Sequence, residues 1–171
     1  VHVDTSDFSR FTSVFQSLDK VDAVLLESPT NPMCKVIDLP RIVQFIKKVS
    51  PSTKIIVDNT MMSGMNCNPI KLGCDVVYES ATKYLNGHHD IMAGIIVTRT
   101  PETAKEIFFV VNAVGSGLSP MDSWLLTRGL KTLSVRLYQQ QYNSMILAKW
   151  LQDSCGYKPT LQNPKLKTRY V

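Results

Sequence analysis

The chain has 171 residues, 44% hydrophobic and 19% charged. That balance suits one globular domain and excludes an unstructured chain, and no apolar run approaches the length of a bilayer span. The net charge is +5, spread along the chain. Its one small basic cluster, NPKLKTRY (163–170), lacks the interleaved aromatics of a nucleic-acid stripe, so neither nucleic acid nor membrane is expected as a partner.

Helix and strand patterns alternate from the start. Residues 6–18 place Phe8, Phe11, Phe15 and Leu18 on one helical face, with Ser6 as the expected N-cap. VDAVLLES (21–28) is a continuous apolar run ending in polar residues, as a buried parallel strand reads. Residues 38–49 set Leu39, Ile42, Val43, Ile46 and Val49 on one face, with Asp38 as cap and Pro40 tolerated in the first turn. KIIVDNT (54–60) is a second strand. A polar loop, SGMNCNPIKLGC, leads to a third, DVVYES (75–80). AGIIVTR (93–99) is a fourth.

Helical patterns follow over 103–114 and from Pro120 to about Asp153, the latter as one or two helices, with Gly115 and Gly117 between the two stretches. Trp124, Leu126, Leu130 and Leu133 read as core. The alternation predicts an α/β fold, a mainly parallel sheet flanked by helices. Residues 1–153 form the expected main domain, and 154–171 read as the start of another. The chain begins VHVDTSDF without Met and stops at KTRYV without a closing element, so both ends read as cut.

Cys34, Cys67, Cys74 and Cys155 form no C-x-x-C pair. They suggest small buried hydrophobes in a reducing, cytoplasmic setting rather than a disulfide framework or a zinc site. His88, His89 and Asp90 are adjacent in sequence, which rarely lets three groups face one ion, so no metal is expected. Gly115-Ser116-Gly117 lacks a full nucleotide-binding glycine pattern and no strand precedes it.

Ligands in such sheets bind outside the carboxyl ends of the strands. The first strand there offers Asn31, the second Asp58, and the third Ser80, Thr82 and Lys83. A lysine amine forms a Schiff base with an aldehyde. A carboxylate keeps a pyridine nitrogen protonated, and hydroxyls donate to phosphate oxygens. The set matches pyridoxal phosphate in chemical kind. Each group alone has a plainer reading: a surface lysine, a turn-capping aspartate, hydroxyls satisfying nearby backbone.

VVYESATKYLNGHHDIMAG resembles the lysine segment of the Cys/Met-metabolism family of pyridoxal-phosphate enzymes. ESPTNP, DNT and GSGLSPMDSWLLTRGLKTLSVRL resemble further family segments, in the family's order. The resemblance covers nearly the whole chain. It implies the large domain of the fold-type I architecture, with residues from 154 entering a smaller C-terminal domain. Lys83 matches the lysine that carries the cofactor, Asp58 the aspartate on the pyridine nitrogen, Ser80 and Thr82 the phosphate-contacting hydroxyls, and Asn31 an asparagine near the ring hydroxyl. His88 matches a structural histidine. Two positions depart from the usual family pattern: Glu79 stands where a histidine is usual, and Gly-His-His-Asp replaces Gly-His-Ser-Asp.

The implied activity is carbon–sulfur cleavage of a small sulfur amino acid. β-Elimination of cystathionine in transsulfuration and methionine biosynthesis is preferred over the family's γ-synthase and γ-lyase chemistry. The resemblance also implies a homotetramer, a dimer of dimers. A neighbouring subunit's tyrosine and arginine would hold the phosphate, and an arginine from the smaller domain would hold the substrate carboxylate. The rival reading is a truncated, non-catalytic copy that acts as an interaction module.

Overall fold

A computed structural model of the chain describes residues 1–156. The elements run α1 (Phe8–Gln16), β1 (Ala23–Glu27), α2 (Leu39–Val49), β2 (Lys54–Asp58), α3 (Ser63–Asn66), β3 (Val76–Ser80), β4 (Gly94–Thr98), α4 (Pro101–Ala113), α5 (Pro120–Leu130) and α6 (Leu133–Cys155). The four strands lie in sequence order in one sheet. β1, β2 and β3 are parallel, and β4 returns antiparallel on β3. This is the expected mainly parallel α/β sheet.

The first helix is capped by Asp7, not by the expected Ser6. The Asp7 carboxylate accepts from Arg10 N at 3.0 Å. Ser6 instead donates through both its backbone N and its hydroxyl to Asp4 Oδ1. A carboxylate offers two acceptor oxygens and complements the positive helix terminus. For α2 the cap is Asp38 as expected, accepting from Arg41 N at 3.2 Å, with Lys47 and Lys48 in the last turn. Inside the loop after β2 the chain makes one further short helical turn, α3, which the glycine and asparagine content of that loop concealed.

Strand alternation sorts the sheet into two faces. Leu26, Ile55 and Val57 point into a core with Phe11, Phe15, Leu39, Ile42, Val43, Ile46 and Cys74. Phe45 meets Phe8, Phe11 and Phe15 edge-on, with ring centroids 5.6–6.0 Å apart. Buried Thr53 is satisfied because its hydroxyl donates to Val21 O at 2.7 Å. Lys47 Nζ meets Asp75 Oδ2 at 2.7 Å, and the same oxygen accepts from Ile55 N at 2.9 Å. One carboxylate thus pins α2 to both β2 and the start of β3. Burial acts to raise the Asp75 pKa, but the Lys47 ammonium and the Ile55 N–H prevail and hold it below the ordinary value.

The opposite face carries Leu25, Ile56, Asp58, Tyr78, Ser80 and Ile96. Here Leu25 is 64% exposed and Ile96 48%. The expectation that these strands are covered on both faces is therefore met only in part among the described residues: Val76 is buried on this face, whereas Val97 of β4 is 49% exposed on the other. A second, smaller core joins Ala81, Leu85 and Ile91 to Leu126, Leu133 and Leu137 of α5 and α6. Trp124 and Leu130, expected in the core, are exposed. Trp124 instead lies under the Arg128 guanidinium. Of the cysteines, all free, Cys67 and Cys74 are buried as expected, whereas Cys34 and Cys155 are exposed. Burial pushes the Cys74 thiol up to about 12, which keeps it protonated and inert. The final helix continues through Cys155, and the segment expected to open a second domain, with its basic cluster, lies outside the described residues from 157 onward.

Candidate active site

The carboxyl ends of β1, β2 and β3 lie side by side, with Glu27 opposite Asp58 and Asp58 opposite Tyr78 in register. Two-residue periodicity turns Asp58, Tyr78 and Ser80 to the open face. The same periodicity turns Glu79 to the other face.

Asp58 Oδ1 accepts from Thr60 N at 2.9 Å. In turn, the Thr60 hydroxyl accepts from Ser80 N at 2.8 Å. Thr60 is thus a bridge that sets the spacing between the carboxylate on β2 and the hydroxyl on β3. The Tyr78 phenol also lies beside Asp58. Burial first, and the Asp58 charge second, raise the tyrosine's pKa, so it stays a neutral donor next to the carboxylate.

Thr82 lies past the end of β3. Its hydroxyl accepts from Ala93 N at 3.0 Å and meets Ala93 O at 3.3 Å. The second contact is long for an O–H···O bond, so the hydroxyl proton is weakly held. Lys83 N donates to Ser80 O at 3.1 Å, which starts a tight turn. The Lys83 side chain is exposed and enters none of the ion pairs among the described residues. An open cleft of about 1120 Å³ runs beside these groups, between β3–β4 and α4. Tyr78, Ser80 and Thr82 line it, along with Ile107 and Phe108. Asp58, Lys83 and Asn31 do not line it.

Asn31 stands apart from the others. It is exposed, in the loop after β1, and its backbone N donates to Glu27 Oε1 at 3.1 Å. His88 Nδ1 lies 2.6 Å from Asn86 O, a local backbone contact. Among the described residues no three His, Cys, Asp or Glu side chains converge to hold a metal ion.

Sequence reasoning missed Tyr78 and Thr60. Tyr78 was legible in principle, because in VVYES it is two residues before Ser80 and so shares its face. Thr60 was not, since its role depends on how the chain turns after β2. Glu79 was noted only as a departure. It is buried, and its Oε1 accepts from Asn59 Nδ2 at 2.8 Å. Burial raises its pKa, partly offset by the Asn59 and Gly64 donors. Asn59 and Glu79 follow Asp58 and precede Ser80 respectively. On the covered face they join the same two strand ends that Thr60 joins on the open one.

The profile of the Cys/Met metabolism PLP-dependent enzymes matches residues 1–167. The chain belongs to this family. It is 70% identical over its whole length to cystathionine beta-lyase of Saccharomyces cerevisiae, covering 37% of that protein. It is 43% identical over 152 residues to cystathionine beta-lyase of Schizosaccharomyces pombe, covering 89% of this chain and 38% of that one. Among solved structures, cystathionine gamma-lyase from Lactobacillus plantarum complexed with L-serine superimposes with a TM-score of 0.83 at 35% identity, over 90% of this chain and 39% of that one. The fold-type I architecture of these Cys/Met-metabolism enzymes is the one described above. The chain spans well under half the length of the relatives it matches. Among the described residues no helix is long and apolar enough to cross a membrane.

Proposed function

We propose that this chain is the cofactor-holding part of a pyridoxal-phosphate-dependent carbon–sulfur lyase that converts cystathionine and water to homocysteine, pyruvate and ammonia. The observation that carries the reading is the 70% identity, along the whole chain, to a cystathionine beta-lyase. The donor set supports the cofactor: a carboxylate ends β2, hydroxyls and an amine stand at the end of the adjacent β3, and Ser80 and Thr82 border an open cleft.

In this reading Lys83 would be the residue that holds the cofactor, through its amine. Asp58, oriented by Thr60 N and neighboured by the Tyr78 phenol, keeps a proton on the ring nitrogen. Ser80 donates its hydroxyl proton to a phosphate oxygen. Thr82 does so by giving up its long contact with Ala93 O. Asn31, in the loop after β1, would be the neighbour of the ring hydroxyl. When bound, pyridoxal phosphate supplies an electron-withdrawing ring that acidifies the substrate's α-carbon. The free Lys83 amine would serve as general base toward the substrate's α-proton, the proton transfer that loss of a thiolate from the β-carbon requires.

Residues 1–153 then belong to the large domain and 154–171 begin the smaller one. The substrate is a small sulfur amino acid, the assembly a homotetramer built as a dimer of dimers, and the compartment the cytoplasm. γ-Elimination is the second reading, favoured by the likeness to a gamma-lyase structure. A chimera tests both, with this chain replacing the matching segment of the Saccharomyces protein. Release of pyruvate from cystathionine is the expected result. Release of 2-oxobutyrate selects the second reading. A folded, cofactor-loaded chimera that makes neither product favours a non-catalytic module.

A further inference from the structure

Lys83 lies in a turn that behaves as one turn of helix. Asn86 N donates to Ala81 O at 3.1 Å and Gly87 N to Lys83 O at 2.8 Å. Gly87 then takes φ +74°, the left-handed conformation that ends helices. The last carbonyls of such a turn have no partner within it. Here a distant helix reaches all three, although Asn86 O also has the local His88 Nδ1 contact at 2.6 Å. Arg136 Nη1 donates to Tyr84 O at 2.8 Å, and Nη2 reaches Leu85 O at 3.3 Å and Asn86 O at 3.4 Å. The same guanidinium ties back to its own side of the molecule, through Gly129 O at 3.0 Å and Thr132 Oγ1 at 3.0 Å.

A helix-surface arginine is ordinarily solvated or paired with a carboxylate. Arg136 enters none of the ion pairs among the described residues. Its rigid fork of donors goes instead to the backbone oxygens of the lysine turn and of the α5–α6 junction. The surroundings are shaped for this contact. A Cβ on Gly87 would overlap the Arg136 guanidinium, and one on Gly129 would overlap the Asn86 carbonyl. Asn86 is in turn held by Asp90, which Arg128 of α5 engages.

We infer that Arg136 is a positioning residue: it fixes the backbone of residues 84–87 and so sets the direction from which the Lys83 amine leaves the turn. The inference rests on the reading of Lys83 as the cofactor-holding lysine. A flexible ammonium cannot reproduce the fork, so Arg136→Lys should act as a partial replacement and Arg136→Met as none.

The test uses the chain itself with two readouts. The first, hydrogen exchange at the Asn86 and Gly87 amides, needs no cofactor. The second is the distribution of label after pyridoxal phosphate and borohydride. In Arg136→Met, exchange at those two amides should rise by at least about tenfold, with the β2 and α2 amides unchanged. Label should move from Lys83 to surface lysines, and Arg136→Lys should fall between. Gly87→Ala, which displaces the guanidinium while leaving every partner in place, should act like Arg136→Met and serves where that variant does not fold. Unchanged exchange in either variant, a uniform rise across the chain, or Lys83 labelling equal to the parent's would each overturn the clamp. Scattered label in the unsubstituted chain, alongside a local rise in exchange, would instead remove the cofactor reading and with it the purpose of the clamp.

Discussion

The two faces of the sheet are made of the same strands and do opposite things. One face points Leu26, Ile55 and Val57 into aromatic and aliphatic side chains of α1 and α2 and is closed over β1 and β2. The other carries Leu25 and Ile96 largely exposed, and it holds the carboxylate and the hydroxyl that follow one another at the strand ends. A single step along β3 separates the roles. Ser80 faces the cleft, while Glu79 is buried against Asn59. The buried groups and the candidate cofactor-binding groups are thus divided by strand parity, and a one-residue slip of β3 would exchange them.

The largest expected effect lies on the closed face. Ile55→Ala removes a fully buried side chain and should cost about 3 kcal/mol in denaturant unfolding. On the open face Leu25→Ala should cost less than about 0.5 kcal/mol. Equal costs would break the distinction between the faces. Asp75→Asn comes next, at about 1–3 kcal/mol, because it disrupts the Lys47 pair and weakens the acceptor for Ile55 N.

The sign of the pH dependence follows from the lowered Asp75 pKa. Its stabilisation is present above the ordinary aspartate pKa and is lost as pH falls through the folded value, so Asp75→Asn should flatten the acid limb of the unfolding curve. Glu79 runs the other way. Its pKa is raised in the fold, so its contribution weakens as pH rises from the ordinary glutamate pKa through the folded one, and Glu79→Gln should remove that slope. The smallest effect distinguishes the caps: Asp7→Ala should cost about 1 kcal/mol in thermal unfolding and Ser6→Ala clearly less.

Much of this was legible in the sequence because it depends on local pattern. The spacing of Leu39, Ile42, Val43 and Ile46 identified α2 and its buried face, and Asp38 its start. The strand ends DNT and ESATK located Asp58, Ser80, Thr82 and Lys83. What stayed hidden depends on contacts made far along the chain. Arg136 meets a turn about fifty residues earlier, and no periodicity announces that. Thr60 becomes a bridge only because β2 and β3 are neighbours. Trp124 fell on the apolar stripe of α5, yet the described residues bury only Leu126 and Gly129 of that helix, with Leu125 packed at the edge.

The central claim is that Lys83, in the turn that follows β3, holds an aldehyde cofactor. Its most direct test is to mix the chain with pyridoxal phosphate, reduce with borohydride and map the modified lysine by peptide mass spectrometry. The account predicts selective modification of Lys83 that is lost or scattered in Asp58→Ala. Modification spread evenly over the surface lysines of the unsubstituted chain would contradict it.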